Sequence, residues 1–206
     1  MPQPSPARAT YHHGNLRAAL VDVGLGLTRS GGSSALVLRD VARAAGVSPS
    51  AAYRHFADRD SLLAAVATRI QDQMNDRMRA ERTLAAPSPA RDRLRAVGLG
   101  YIGFALQEPG WFDVAFSDIT AVPGGPRVPA PLAALIDALD GLVAEGALAP
   151  GARAGAEWPC WSAVHGFALL ALRGPLRGLP PHAVWAEAER TVDAIIAGVL
   201  ANQDPA

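Results

Sequence analysis

The stretch Arg39-Asp-Val-Ala-Arg-Ala-Ala-Gly-Val-Ser-Pro-Ser-Ala-Ala-Tyr-Arg-His-Phe56 constrains the fold of this chain more than any other. Val41, Ala42 and Ala45 recur at helical spacing, which predicts a short helix over 38–45 that Gly46 stops. Ser48 then stands where an N-cap belongs. Pro49 takes the first helical position, where its missing N–H is no loss. A second short helix is expected over 48–56, and two such helices joined by a tight turn form a helix-turn-helix. Ala42 is small where the helices cross, and Val47 plugs the angle between them. With Val47, Ala51 and Phe56 packed inward, Ser48, Ser50, Ala52, Tyr53, Arg54 and His55 are expected on or near the exposed face. The pattern alone fits two readings. One is an ordinary helical hairpin; the other is a head offering hydroxyls and a guanidinium to a DNA major groove.

The remaining segments read as helices too. Leu16, Ala19, Leu20, Val23 and Leu27 share one face of a first helix, which Gly31-Gly32 ends. Asp58 caps another, whose Leu62, Leu63, Val66, Ile70 and Met74 keep one apolar face to about 82. Pro87-Ser88-Pro89 breaks the pattern. Beyond it helices are expected at about 90–107, 111–119, 131–145, 155–172 and 182–202, with a Pro- and Gly-rich loop at 122–131. No strand and no repeat is evident, and about a fifth of the residues are Ala, a strong helix former. The expected fold is all-α: a three-helix helix-turn-helix domain followed by an antiparallel helical domain. The expected division is a flexible arm at 1–10, the helix-turn-helix domain at 11–58, a connecting helix at 59–86 and a second helical domain at 87–206, which a family resemblance carried by other segments of the chain implies to be a ligand-binding and dimerisation domain. The last helix carries Trp185, Val192, Ile195, Ile196 and Val199 at 3-4 spacing. With the apolar face of the helix before it, they are expected to meet a symmetry mate in the four-helix interface of a homodimer.

Charge is unevenly divided. All nineteen basic side chains are Arg, and the formal net charge is zero. Residues 1–82 hold eleven Arg against seven acids, whereas 83–206 hold eight against twelve. A basic first third on an acidic body fits an encounter with a polyanion at one end.

Several classes are excluded. Cys160 is the single cysteine, so neither an internal disulfide nor a cysteine metal cage forms. The adjacent His12 and His13 point in different directions and make a poor metal pair, so phosphate contact or solvation is the better reading. The most apolar run, 161–172, falls short of the roughly 20 residues of a membrane span. The chain is therefore expected to be soluble and cytoplasmic, with no membrane partner. Gly98-Leu-Gly-Tyr-Ile-Gly103 satisfies the G-x-G-x-x-G pattern, but a charged helical approach precedes it where a dinucleotide site needs a strand. Close helix packing or a bend explains these glycines better. No protease, hydrolase or nucleotide-binding motif appears. No enzyme, cofactor or metal is implied.

Three segments together resemble the N-terminal domain of TetR/AcrR-type repressors: Tyr11-His-His-Gly-Asn-Leu-Arg17, the helix-turn-helix, and Phe56-Ala-Asp-Arg-Asp-Ser-Leu-Leu63. The resemblance runs without gaps over about 11–66. Downstream, Trp161-Ser-Ala-Val-His165-Gly166 resembles the Trp…His-Gly signature of one type of TetR C-terminal domain. The resemblance implies that the third helix enters the major groove. Tyr53 and His55 would then grip the phosphate backbone, while Ser48, Ser50 and Arg54 reach phosphates or bases. Arg39 and Arg59 match phosphate contacts at the starts of the second and fourth helices, with Arg59 standing where Lys is usual. His12 and His13 lie where an arm meets phosphate, and Ala51-Ala52 offers methyls to thymine. A palindromic operator, read by two heads about 34–36 Å apart, follows from such a dimer. A small apolar effector would enter the second domain, where Tyr101, Phe104, Trp111, Phe112, Phe116, Trp158 and Trp161 gather with His165 and Cys160. His165 reads equally well as a packed structural residue. The competing reading is a helical ligand-binding or protein-interaction module, and an activator with the same heads is a third.

Overall fold

The computed structural model describes residues 16–80, 89–117 and 128–201. The expected arm, His12, His13 and most of the 122–131 loop lie outside the described residues. Among these residues there are nine α-helices and no strand. The helices are α1 (Leu16–Gly31), α2 (Leu38–Ala44), α3 (Pro49–Tyr53), α4 (Arg59–Ala80), α5 (Pro89–Gln107), α6 (Pro109–Ala115), α7 (Ala130–Ala144), α8 (Glu157–Arg173) and α9 (Pro181–Ala201). The all-α expectation holds.

The helix-turn-helix forms for the reasons its sequence gives. Ala42 is fully buried at the crossing. Gly46 adopts φ 70°, in the left-handed region that favours glycine. The Val47 N–H returns to the Ala42 carbonyl at 3.0 Å. Ser48 caps α3 by accepting the Ala51 N–H at 3.3 Å, with Pro49 in the first turn. The helix is shorter than the expected 48–56 span. The N–H groups of His55 and Phe56 both turn back to the Ala52 carbonyl, which swings the Phe56 ring into the core. A reciprocal pair then opens α4. The Ser61 N–H donates to Asp58 Oδ1 at 2.7 Å, and the Asp58 N–H donates to Ser61 Oγ at 3.3 Å.

Helix α4 leads from this head into the second set of helices, where α5 is the central rod. It packs against α4, α7, α8 and α9, and its three glycines explain how. A Cβ at Gly98 would lie 3.2 Å from Val192 of α9, and one at Gly100 would lie 2.8 Å from the Met78 Cα of α4. The Trp185 ring of α9 sits 3.6 Å from where a Gly103 Cβ would be. The G-x-G-x-x-G pattern is a packing seam.

That seam corrects the expected dimer surface. Val192, Ile196 and Val199 are 1%, 2% and 7% exposed in a single chain. Val192 and Ile196 share a cavity with Val97 of α5 and Val164 of α8, so little of this stripe is left for a partner. Trp185 and Ile195 are only half-buried. The continuous apolar stripe of α9 is its inward face. The outward face is small and mixed: Ala194, Ala197, Gly198 and Ala201 on α9, beside Trp158, Ser162, Leu169 and Leu170 on α8.

Candidate functional site

Two regions carry the candidate chemistry, and a joint connects them. At the head, Ser48, Ser50, Tyr53, Arg54 and His55 are all exposed around α3, and Arg39 is exposed on α2. The Ser48 and Ser50 hydroxyls are 3.0 Å apart. Tyr53 is 48% exposed, a large ring at the surface. Ala52 is the correction. It is fully buried, so its methyl faces the core and only the half-buried Ala51 offers one near the surface. Arg43 on α2, outside the set expected to meet DNA, is highly exposed and paired to Asp40 at 2.9 Å. Its i,i+3 acid neighbour and its place outside the short helix 3 face gave no signal in the sequence.

Arg59 is engaged differently from what its position suggests. Its Nε donates to the Leu36 carbonyl at 2.9 Å and its NH2 to the Ser33 carbonyl at 2.5 Å. The guanidinium therefore fastens the α1–α2 connection to the start of α4. Its NH1 keeps only an exposed contact with Asp60.

In the second region the expected ring cluster separates into two groups. Tyr101, Phe112, Phe116, Trp161 and His165 pack on one another with ring centroids 5.1–6.4 Å apart. The Tyr101 hydroxyl lies 2.7 Å from His165 Nδ1. Burial pushes the Tyr101 phenol up and the His165 imidazole down, so both groups stay neutral. We assign the hydroxyl as donor to Nδ1, which leaves the imidazole proton on Nε2. Tyr101 and Trp161 also border an apolar cavity of about 20 Å³, lined by Met78, Leu94, Val97, Leu135, Cys160, Val164, Val192 and Ile196, among others. Burial first, and then the Glu157 carboxylate, push the Cys160 thiol up to about 11, so it is a neutral wall group.

Three expected pocket residues lie elsewhere. Trp158 is 57% exposed on the outer face of α8. Phe104 and Trp111 stack on each other at 6.4 Å, away from the cavity and against the head. There the Trp111 indole N–H donates to the Leu25 carbonyl of α1 at 2.9 Å. The reason is rotation along α6: Phe112 and Phe116 face the ring cluster, whereas Trp111 turns to α1.

This joint holds a charge cluster that the sequence gave no sign of. Glu108, between α5 and α6, is 5% exposed. It accepts two bonds from Arg29 of α1, at 2.7 and 2.6 Å, and a third from Arg77 of α4 at 3.2 Å. These donors, Arg29 first, hold its carboxyl below the usual range. Arg29 lies 5.0 Å over Trp111 and Arg77 5.4 Å over Phe104. Among the described residues no group of His, Cys, Asp and Glu is arranged to hold a metal ion, and no helix is long and apolar enough to cross a membrane.

Comparison with known proteins agrees with this layout. The family description "Bacterial regulatory proteins, tetR family" matches residues 20–66, and "Tetracyclin repressor-like, C-terminal domain" matches 94–195. No curated protein sequence matches significantly. Among solved structures, a protein of unknown function from Rhodococcus sp. RHA1 is 26% identical, with a TM-score of 0.72 over 96% of this chain and 99% of that one. A TetR variant from Acinetobacter baumannii AYE, in complex with minocycline, is 18% identical with a TM-score of 0.66 over 91% and 98%. The regulator SCO7222, a TetR from Streptomyces coelicolor, is 20% identical with a TM-score of 0.63 over 92% and 99%. Matches to both halves, in the right order on a helix-turn-helix followed by a helical body, place this chain in the TetR family as a DNA-binding transcriptional regulator and not an enzyme.

Proposed function

We propose that the protein is a cytoplasmic repressor that holds a palindromic operator as a homodimer and is released by a small, uncharged, apolar effector. The carrying observation is the exposed set Ser48, Ser50, Tyr53, Arg54 and His55 on a capped helix beside Arg39 and Arg43. Hydroxyls, an aromatic and three guanidiniums on one face suit phosphates and base edges, the two kinds of DNA contact. The outward small-residue face of α9 and the exposed Trp158, Leu169 and Leu170 of α8 support pairing with a second copy.

The effector's class follows from the core. The cavity walls are apolar and bear no charged side chain. Of the polar groups in its wall, the Tyr101 hydroxyl is already bonded to the neutral His165 and the Cys160 thiol is neutral. An ion entering here would lose its hydration without a counter-charge. A cavity of about 20 Å³ has room for roughly one water. Any larger occupant must part the helices, so it selects a wider arrangement than the one observed. That cavity growth makes the effector a switch. Near-complete release needs several kcal/mol of preference for the wide state.

Titration of the protein against duplex DNA from its gene's upstream region, across a salt series, tests this reading. Saturable binding that strengthens as salt falls is expected. Arg39→Ala should weaken binding to every duplex and reduce the salt slope by about 1 for each head, or about 2 for the dimer. Absence of binding at low salt overturns the proposal.

A further inference from the structure

We infer that Glu108 is the positioning residue through which the second domain holds the DNA-reading head. The inference rests on the effector-released repressor proposed above and adds the element that would carry the signal. Glu108 is a buried acid gripped by guanidiniums from two different helices, Arg29 at the end of α1 and Arg77 on α4. Both guanidiniums also lie over rings of the same stack, Trp111 and Phe104. The joint is close as well as charged: a Cβ at Gly110 would sit 2.2 Å from the Arg29 carbonyl oxygen. Nearby, Asp113 accepts from the Ser33 hydroxyl at 3.3 Å and pairs with Arg173 of α8.

Helix α6 is only seven residues long, so it moves as one piece. On its other side Phe112 and Phe116 pack against Tyr101 and His165. An occupant that parts those rings displaces the helix whose preceding residue is Glu108. Arg29 follows, and with it the end of α1. The fork geometry of Arg29 on both carboxylate oxygens transmits direction as well as distance, because two parallel bonds fix the plane of the guanidinium.

Amide hydrogen exchange on the full chain, with Glu108→Gln, Arg29→Gln and the two combined, tests the grip without needing an effector. Exchange in the last turn of α1 and in α6 should rise at least tenfold in Glu108→Gln, with α7 to α9 unchanged. Arg29→Gln should raise exchange less in that background than it does alone, since the two changes share the Arg29–Glu108 pair while Arg29 also lies over Trp111. Reversal of the pair, Arg29→Glu with Glu108→Arg in an Arg77→Gln background, should restore the slow exchange. Unchanged exchange, a rise spread evenly over the chain, or failure of the reversed pair to restore protection would each overturn the inference. Duplex binding by the same variants separates the two proposals. If the wild-type chain binds no duplex, the repressor reading fails while exchange still decides the grip. If the wild type binds and Glu108→Gln binds several-fold more weakly with its helix-turn-helix still protected, both stand. Equal binding by the two would overturn the positioning role.

Discussion

The reading head and the ring cluster are both small groups of side chains, yet they are built in opposite ways. The head is assembled from neighbours in sequence. Ser48 caps the helix that carries Ser50, Tyr53 and Arg54, and Gly46 sets the turn just before it. The ring cluster brings Tyr101 of α5 and Phe112 and Phe116 at α6 onto Trp161 and His165 of α8, far along the chain from them. A face that meets a rigid polyanion must stand exposed in a fixed local geometry. A core that would open for the proposed effector depends instead on how whole helices lean on each other. Local strain should therefore disturb the head mildly, and steric change at a helix seam should disturb the second domain and its joint severely.

Gly110→Ala probes the severe end. The added Cβ would meet the Arg29 and Thr28 carbonyl oxygens at 2.2 and 2.7 Å, and backbone atoms do not swing aside. Overpacking of this kind costs about 3 kcal/mol, which lowers Tm by roughly 6–12 °C for a chain of this size. Calorimetry of the variant checks it. A loss smaller than that of Gly46→Ala would reverse the comparison.

Arg59→Lys comes next and sharpens it. Lysine keeps the positive charge but cannot reproduce the two-carbonyl grip on Ser33 and Leu36. Loss of two charge-assisted bonds at a partly exposed site should destabilise the chain by about 2 kcal/mol in thermal melts. Duplex affinity, measured well below Tm, should stay within about twofold of wild type. A large loss of affinity with unchanged Tm would instead make Arg59 a phosphate contact whose geometry matters. Gly46→Ala is milder. The added methyl meets open space, so only the positive φ opposes it, at about 1 kcal/mol.

The same contrast explains what the sequence made legible. The turn, the cap and the exposed face of the head follow from residues within about one turn of each other, and they stand as expected. The exception is Ala52, because a five-residue helix turns too few times for spacing to separate inner from outer positions. The stripe Val192, Ile196 and Val199 was correctly apolar, but periodicity reports that a face is buried, not what buries it. Only the approach of α5 through Gly98 shows that the chain itself does so. Residue type alone points Trp158, Phe104 and Trp111 to a pocket, whereas their direction depends on how α5, α6 and α8 sit. Glu108 was invisible for the same reason. An acid that follows Gln107 before a proline looks solvated until α1 and α4 deliver their arginines to it.

The smallest effect concerns His165, whose imidazole burial pulls below its ordinary 6.5. The folded state binds a proton there less readily than the unfolded state does. Between the lowered folded value and 6.5 the unfolded chain therefore holds more protons, and stability rises with pH. The contribution is fully present above about 6.5 and is lost as pH falls toward the folded value. His165→Gln removes this titration while an amide carbonyl remains to accept the Tyr101 hydroxyl. Glu108 and Asp193 do not obscure the difference, because both are held below the usual carboxylate range and titrate at more acid pH. Thermal melts of wild type and variant from pH 7.5 to 5.5 should converge in slope at the upper end and separate below 6.5, the wild type losing more. Parallel curves throughout would mean that His165 takes up its proton without leaving the Tyr101 bond. The ring cluster would then be open to water in a way that its packing does not suggest.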